Sequence, residues 1–138
     1  SRGLGDVYKR QPIRWSDVDR QGHVNNVSLA GYLQEARILA TTSWSPGMRR
    51  AGNYLWVVVR QDIRYRRQVL PTQRSCRVHT ALTRLGTSSM TLAGSIATEE
   101  GSALDAATVL VCVDPKTGAS VPIDDQTRQA LSAYLVTV

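Results

Sequence analysis

Apolar positions change their spacing along this chain, and each change predicts an element. From Leu29 to Ala40 they recur at three- and four-residue steps: Leu29, Leu33 with Tyr32, Ala36, and Leu39 with Ala40. That spacing gives one apolar face of an α-helix about 15 to 17 residues long. Asn25 or Asn26 supplies its N-cap, because an Asn side chain accepts from the first free backbone amides. Ser45, Pro46 and Gly47 stop it. Pro12 to Trp15, before the helix, reads as the end of a strand. After it come four strand-like segments: Tyr54 to Gln68, Arg74 to Leu85, Thr87 to Thr98 and Ala103 to Val113. In the second, Cys76, Val78, Thr80 and Leu82 alternate with Arg77, His79 and Thr83; in the third, Met90, Leu92, Gly94 and Ile96 share a face. Val109 to Val113 is apolar on both faces, which predicts that both are covered. Gly86 marks a hairpin turn, and Asp124 and Asp125 can cap a short terminal helix through Leu135.

Strand, long helix, then a run of strands is an α+β order, with a helix packed on an antiparallel sheet of about five strands. The chain has 138 residues and is 42% hydrophobic, enough for one domain with its own core. Its apolar runs are strand-sized and fall short of the roughly 18 residues a membrane span needs, so no membrane partner is expected. No secretory signal is visible. Cys76 and Cys112 sit inside strand-like runs and read as reduced core residues, consistent with a cytoplasmic protein. Neither has a partner at metal-ligand spacing, so no metal is expected.

The formal charge is +6, carried almost entirely by arginine; Lys9 and Lys116 are the only lysines. Guanidinium groups suit phosphate. The charge therefore admits nucleic acid or a phosphorylated small molecule, and by itself does not separate them. Residues 1–11, S-R-G-L-G-D-V-Y-K-R-Q, resemble the translation of a transposase-based sequencing adapter. On that resemblance Ser1 to Gln11 form a non-native tail, and the domain is 12–138. Leaving the tail out keeps a basic remainder, because it carries three cations against Asp6.

Chemistry concentrates between Ser16 and Asn26. Two carboxylates, a histidine and two asparagines precede the helix N-terminus, whose unpaired amides and partial positive charge suit a carbonyl oxygen gaining negative charge. A carboxylate held opposite can activate water or attack directly. Gly22 lets the loop turn sharply. These features point to acyl-group hydrolysis, and a purely structural capping loop fits the same spacing.

The pattern D-x-D-x-x-G-H-V-N-N, from Asp17 to Asn26, followed by Y-L-Q-E-A-R, resembles the 4-hydroxybenzoyl-CoA thioesterase family of hotdog-fold proteins and the matching motif of plant acyl-carrier-protein thioesterases. The likeness continues through Ile63, Tyr65 and Pro71, through Arg84 to Ser89, and through Val109 to Asp114 with Thr117 and Gly118. It implies a long central helix wrapped by a curved antiparallel sheet. It implies hydrolysis of an acyl-CoA thioester, with coenzyme A as part of the substrate and no separate cofactor.

Carried onto this chain, the resemblance makes Asp19 the general base or nucleophile. Asn26 becomes the position whose backbone amide polarises the carbonyl. His23 matches a histidine implicated in the plant enzymes and replaced elsewhere in the family, and a loop-ordering role fits it equally. Asp17 is structural, and Asn25 caps the helix. Arg84, Thr87, Ser88 and Ser89 match a segment that binds the nucleotide of coenzyme A across a subunit boundary. Arg64, with Gly22 and Asn25, completes the substrate-binding set, and Arg66 and Arg67 extend the same cluster. Glu35 and Arg37 can pair locally or across a dimer. The chain departs from the family after Pro71, where Thr72-Gln73 replaces Gly-Asp and puts the local turn in question.

A homodimer or homotetramer is expected, with the site at the subunit boundary. The alternatives are an acyl-carrier-protein thioesterase or a non-catalytic acyl-CoA-binding protein. A hydratase would carry D-x-N-x-x-H, which is missing, and no aromatic strand motif or recognition helix supports nucleic-acid binding.

Overall fold

The computed structural model describes residues 5–45 and 54–136. Five strands form one antiparallel sheet: β1 (Asp6–Pro12), β2 (Leu55–Tyr65), β3 (Ser75–Leu85), β4 (Ser89–Thr98) and β5 (Gly101–Val113). Their order across the sheet is β1-β3-β4-β5-β2. The long helix α1 (Asn26–Trp44) follows β1. It packs most heavily on β3, with β1 and β4 beside it. This is the hotdog arrangement, one long helix lying in a curved antiparallel sheet.

The helix forms where the periodicity predicts it, and Asn25 is its N-cap, accepting from the Ser28 amide at 2.8 Å. At 19 residues it is longer than its apolar spacing suggests, because its first turn is polar and held by that cap. Leu29, Tyr32, Leu33, Ala36, Ala40 and Trp44 are buried. Leu39 is not: it is 53% exposed. At about 100° per residue, Leu39 falls off the stripe that Leu29, Leu33, Ala36 and Ala40 share. Pro46 and Gly47, the expected helix stops, lie outside the described residues.

The alternation of β3 and β4 is realised. Cys76, Val78, Thr80 and Leu82 are buried against the helix with Met90, Leu92 and Ile96. Gly94 lets Leu33 of α1 approach; a Cβ there would lie 3.2 Å from the Leu33 side chain. In β5, Leu110 and Cys112 are buried, whereas Val109, Val111 and Val113 on the other face are only half-buried. The expectation that both faces are covered is thus met in part.

Pro12 to Trp15 departs from its expected strand. β1 ends at Pro12, and Trp15–Asp17 forms one 3-10 turn, closed when the Asp17 carboxylate accepts the Arg14 amide. The Thr72-Gln73 segment also forms a 3-10 turn, Pro71–Gln73, and Arg74 after it takes φ 56°. That is a conformation disfavoured for a side chain with a Cβ. The terminal helix α2 (Asp125–Ser132) is capped by Asp124 and stops short of Leu135, which instead bridges to Leu82 of β3. No helix among the described residues is long and apolar enough to cross a membrane.

Candidate functional site

The loop between β1 and α1 folds as a miniature hairpin. Val18 pairs with Val24, Asp19 N–H donates to the His23 carbonyl at 2.8 Å, and Asn25 N–H donates to the Asp17 carbonyl at 2.9 Å. Gly22, at φ 83°, makes the tip turn. Val24 is buried in the core and anchors the hairpin below α1.

The two carboxylates of the loop sit in opposite environments. Asp17 is only 4% exposed. It accepts from the Tyr32 hydroxyl at 2.5 Å, the Ser28 hydroxyl at 3.2 Å, and the amide and guanidinium of Arg14 at 3.1 and 3.2 Å. Burial pushes its carboxyl up, but the hydrogen bonds from Tyr32, Arg14 and Ser28 outweigh it and hold the group below its ordinary range. The Tyr32 phenol is pushed up, first by burial and then by its bond to this carboxylate.

Asp19 is exposed at the hairpin tip. Its Oδ1 accepts from the amides of Gln21 at 2.9 Å and His23 at 3.3 Å. Among the described residues its other oxygen accepts no hydrogen bond. His23 is half-buried, and its ring has no hydrogen-bond partner among the described residues.

At the start of α1, the Asn25 side chain takes the Ser28 amide and the Asn25 carbonyl takes the Leu29 amide. That leaves the amides of Asn26 and Val27 without acceptors among the described residues, on an exposed first turn. Asn25 also donates its side-chain amide to the Asp17 carbonyl at 3.0 Å, so cap and hairpin are one unit. Arg14, Ser28 and Tyr32 belong to this site and were missed in the sequence reading. Tyr32 looked like one more apolar position on the helix face; the available signal was its polar tip, which needs a partner when buried.

The remaining binding residues are not gathered around the loop. Arg64, on β2 opposite Asp105, lies at the loop end of the sheet and has no partner among the described residues. Arg66 pairs with Asp105 at 2.5 Å, and Arg67 bonds the Glu100 carbonyl. Arg84, Thr87, Ser88 and Ser89 lie at the far end. β3 pairs with Pro12 at Ser75 and turns into β4 after Leu85. Its 11 residues span roughly 33 Å, so one protomer does not bring these residues to Asp19. The Gly86 and Thr87 carbonyls are held by Arg128 of α2 at 2.7 and 3.0 Å.

Burial pushes the thiols of Cys76 and Cys112 up to about 11, which makes both poor nucleophiles. Among the described residues no cluster of His, Cys, Asp and Glu is placed to hold a metal ion.

A family model described as the thioesterase-like superfamily matches residues 13–131. YsmA of Bacillus subtilis strain 168 is 30% identical over 125 residues, covering 90% of this chain and 84% of that protein. A thioesterase from Thermus thermophilus, crystallised with coenzyme A and Zn, superposes with a TM-score of 0.81 at 28% identity, covering 96% of each chain. A member of the thioesterase superfamily from Jannaschia sp. CCS1 superposes at 0.87 and covers 99% of this chain and 98% of that one. At 19% identity its likeness is one of fold alone.

Proposed function

Because the chain belongs to the thioesterase-like superfamily, we propose that it hydrolyses an acyl-CoA thioester to the free carboxylic acid and coenzyme A. The observation that carries this reading is a carboxylate with one free oxygen, Asp19, on a hairpin fastened to a helix N-terminus with two free amides. In the proposed reaction Asp19 takes a proton from water as the water oxygen bonds the thioester carbonyl carbon. The amides of Asn26 and Val27 receive the developing oxyanion. The C–S bond then breaks, and the Asp19 proton passes to the departing thiolate. Asp17 is a positioning residue that ties hairpin to helix, and His23 orders the tip through its backbone.

For the coenzyme A moiety we propose that a second copy of the chain completes the site. The superposed Thermus thermophilus thioesterase, crystallised with coenzyme A, supports the ligand. The unpaired outer edge of β2 supports the second copy. Two-fold pairing of that edge would be antiparallel. It would set the Leu55 end of one protomer level with the Tyr65 end of the other, carrying the partner copy's β3–β4 turn toward this copy's loop.

The test is Asp19→Asn, followed by free-thiol release over a panel of acyl-CoAs. A fall in kcat of roughly 100-fold or more is expected. Wild-type turnover by that variant would remove Asp19 from the mechanism. Binding of acyl-CoA by the wild-type protein with no thiol release would favour the non-catalytic reading.

A further inference from the structure

Beyond the loop, the described residues line a partly open cavity of about 420 Å³ between α1 and the edge of the sheet. Its sheet wall is largely apolar, with Trp56, Val58, Met90 and Leu110, whereas its α1 wall carries Gln34 and Thr41 beside Ile38. Arg37 also lines it, and extends beneath the helix toward Thr80 and Thr108.

Arg37 is the one charged side chain among the described residues that line this cavity. It makes no ion pair or hydrogen bond through its side chain among the described residues. Glu35, the acid nearest to it on the helix, is turned to Lys9 at 3.1 Å. Burial alone holds the Arg37 guanidinium below its ordinary pKa, with no neighbouring charge opposing it. An unpaired, half-buried cation is costly unless something with acceptor oxygens meets it. A guanidinium fork is matched by a carboxylate, which accepts two parallel hydrogen bonds.

The cavity also lies along the same helix whose N-terminus carries the proposed chemistry. Arg37 lies 11 residues beyond Asn26, and at 1.5 Å per residue that is about 16 Å along the helix. We propose that this cavity seats the acyl chain of the substrate and that Arg37 binds a carboxylate carried by that chain. The acyl group is then that of a dicarboxylic acid esterified to the thiol at one end only. This inference rests on the thioesterase reading above and adds the class of acyl group.

The test measures kcat/KM of the full chain for two straight-chain acyl-CoAs of equal length, one ending in carboxylate and one in methyl. The expected ratio favours the carboxylate by about tenfold or more, the worth of one charge-assisted bond. Arg37→Met should collapse that ratio and Arg37→Lys should keep part of it. A wild-type ratio near one would overturn the inference and leave the thioesterase reading standing. So would a ratio unmoved in Arg37→Met, including the case where that variant only changes the oligomeric state. Calorimetry with non-hydrolysable thioether analogues separates the two ideas. A tenfold preference for the carboxylate-ended analogue, lost in Arg37→Met, would support the Arg37 site even if no thioester were cleaved.

Discussion

Asp17 accepts hydrogen bonds from Tyr32, Ser28 and Arg14 in a buried setting, while Asp19, two residues on, keeps one oxygen free at an exposed tip. The difference has a consequence for stability. Asp17 has its folded-state pKa lowered below the ordinary 3.8. The stability its charge contributes is therefore complete above about pH 4 and is lost as the pH falls through the still lower folded value. Asp17→Asn should cost about 2 to 3 kcal/mol at pH 7, since it weakens the charge-assisted bonds of a buried carboxylate, above all that from buried Tyr32. It should also flatten the acid limb of the stability curve, the two proteins converging in strong acid. Thermal melts across pH 2 to 7 check this, and equal melting temperatures at pH 7 would refute it. The identity of the two carboxylates was legible in the motif, and their burial was not. Burial depends on Tyr32 reaching back from the second turn of the helix, which only folding brings about.

At the scale of elements, β1 is the exception to an otherwise consistent pattern. Its helix-facing positions, Val7, Lys9 and Gln11, pair with Thr80, Val78 and Cys76 of β3. Two of the three are polar, and Gln11 is buried. Lys9 is accommodated by Gln11 and Glu35 at 2.7 and 3.1 Å. A strand selected to cover this core would put apolar side chains at those positions. We propose, in keeping with the adapter resemblance, that residues 1–11 stand in for a native first strand. Reading the genomic sequence upstream of the Pro12 codon tests it. The expected result is a different segment with apolar residues at the three inward positions; a genomic S-R-G-L-G-D-V-Y-K-R-Q would end the proposal. The other elements were legible because periodicity and turn residues agree. The misreading at Trp15 arose because a side-chain cap from Asp17 overrode strand propensity.

For the molecule as a whole, the sheet ends in an exposed apolar edge. Leu55, Val57, Val58, Val59 and Tyr65 of β2 are all exposed, and among the described residues β2 has a neighbour on one side only. Such an edge invites a further strand. A homodimer built through it is the proposed state, and sedimentation should give about twice the 15.2 kDa chain mass. Val57→Lys with Val59→Lys should shift the protein toward monomer and lower thioesterase activity with it. A wild-type protein sedimenting at the mass of one chain would refute the dimer.

By itself the sequence determined the α+β order, the helix and its Asn25 cap, the alternation of β3 and β4, and the loop in which the candidate chemistry lies. These follow from local spacing and short-range hydrogen bonds, which the chain carries in its order of residues. Tertiary structure alone decided which carboxylate is buried, that Arg84 to Ser89 lie a sheet's length from Asp19, and that Arg37 lines a cavity between α1 and the sheet. Each of those depends on groups far apart in the chain meeting in space, and no periodicity encodes such a meeting.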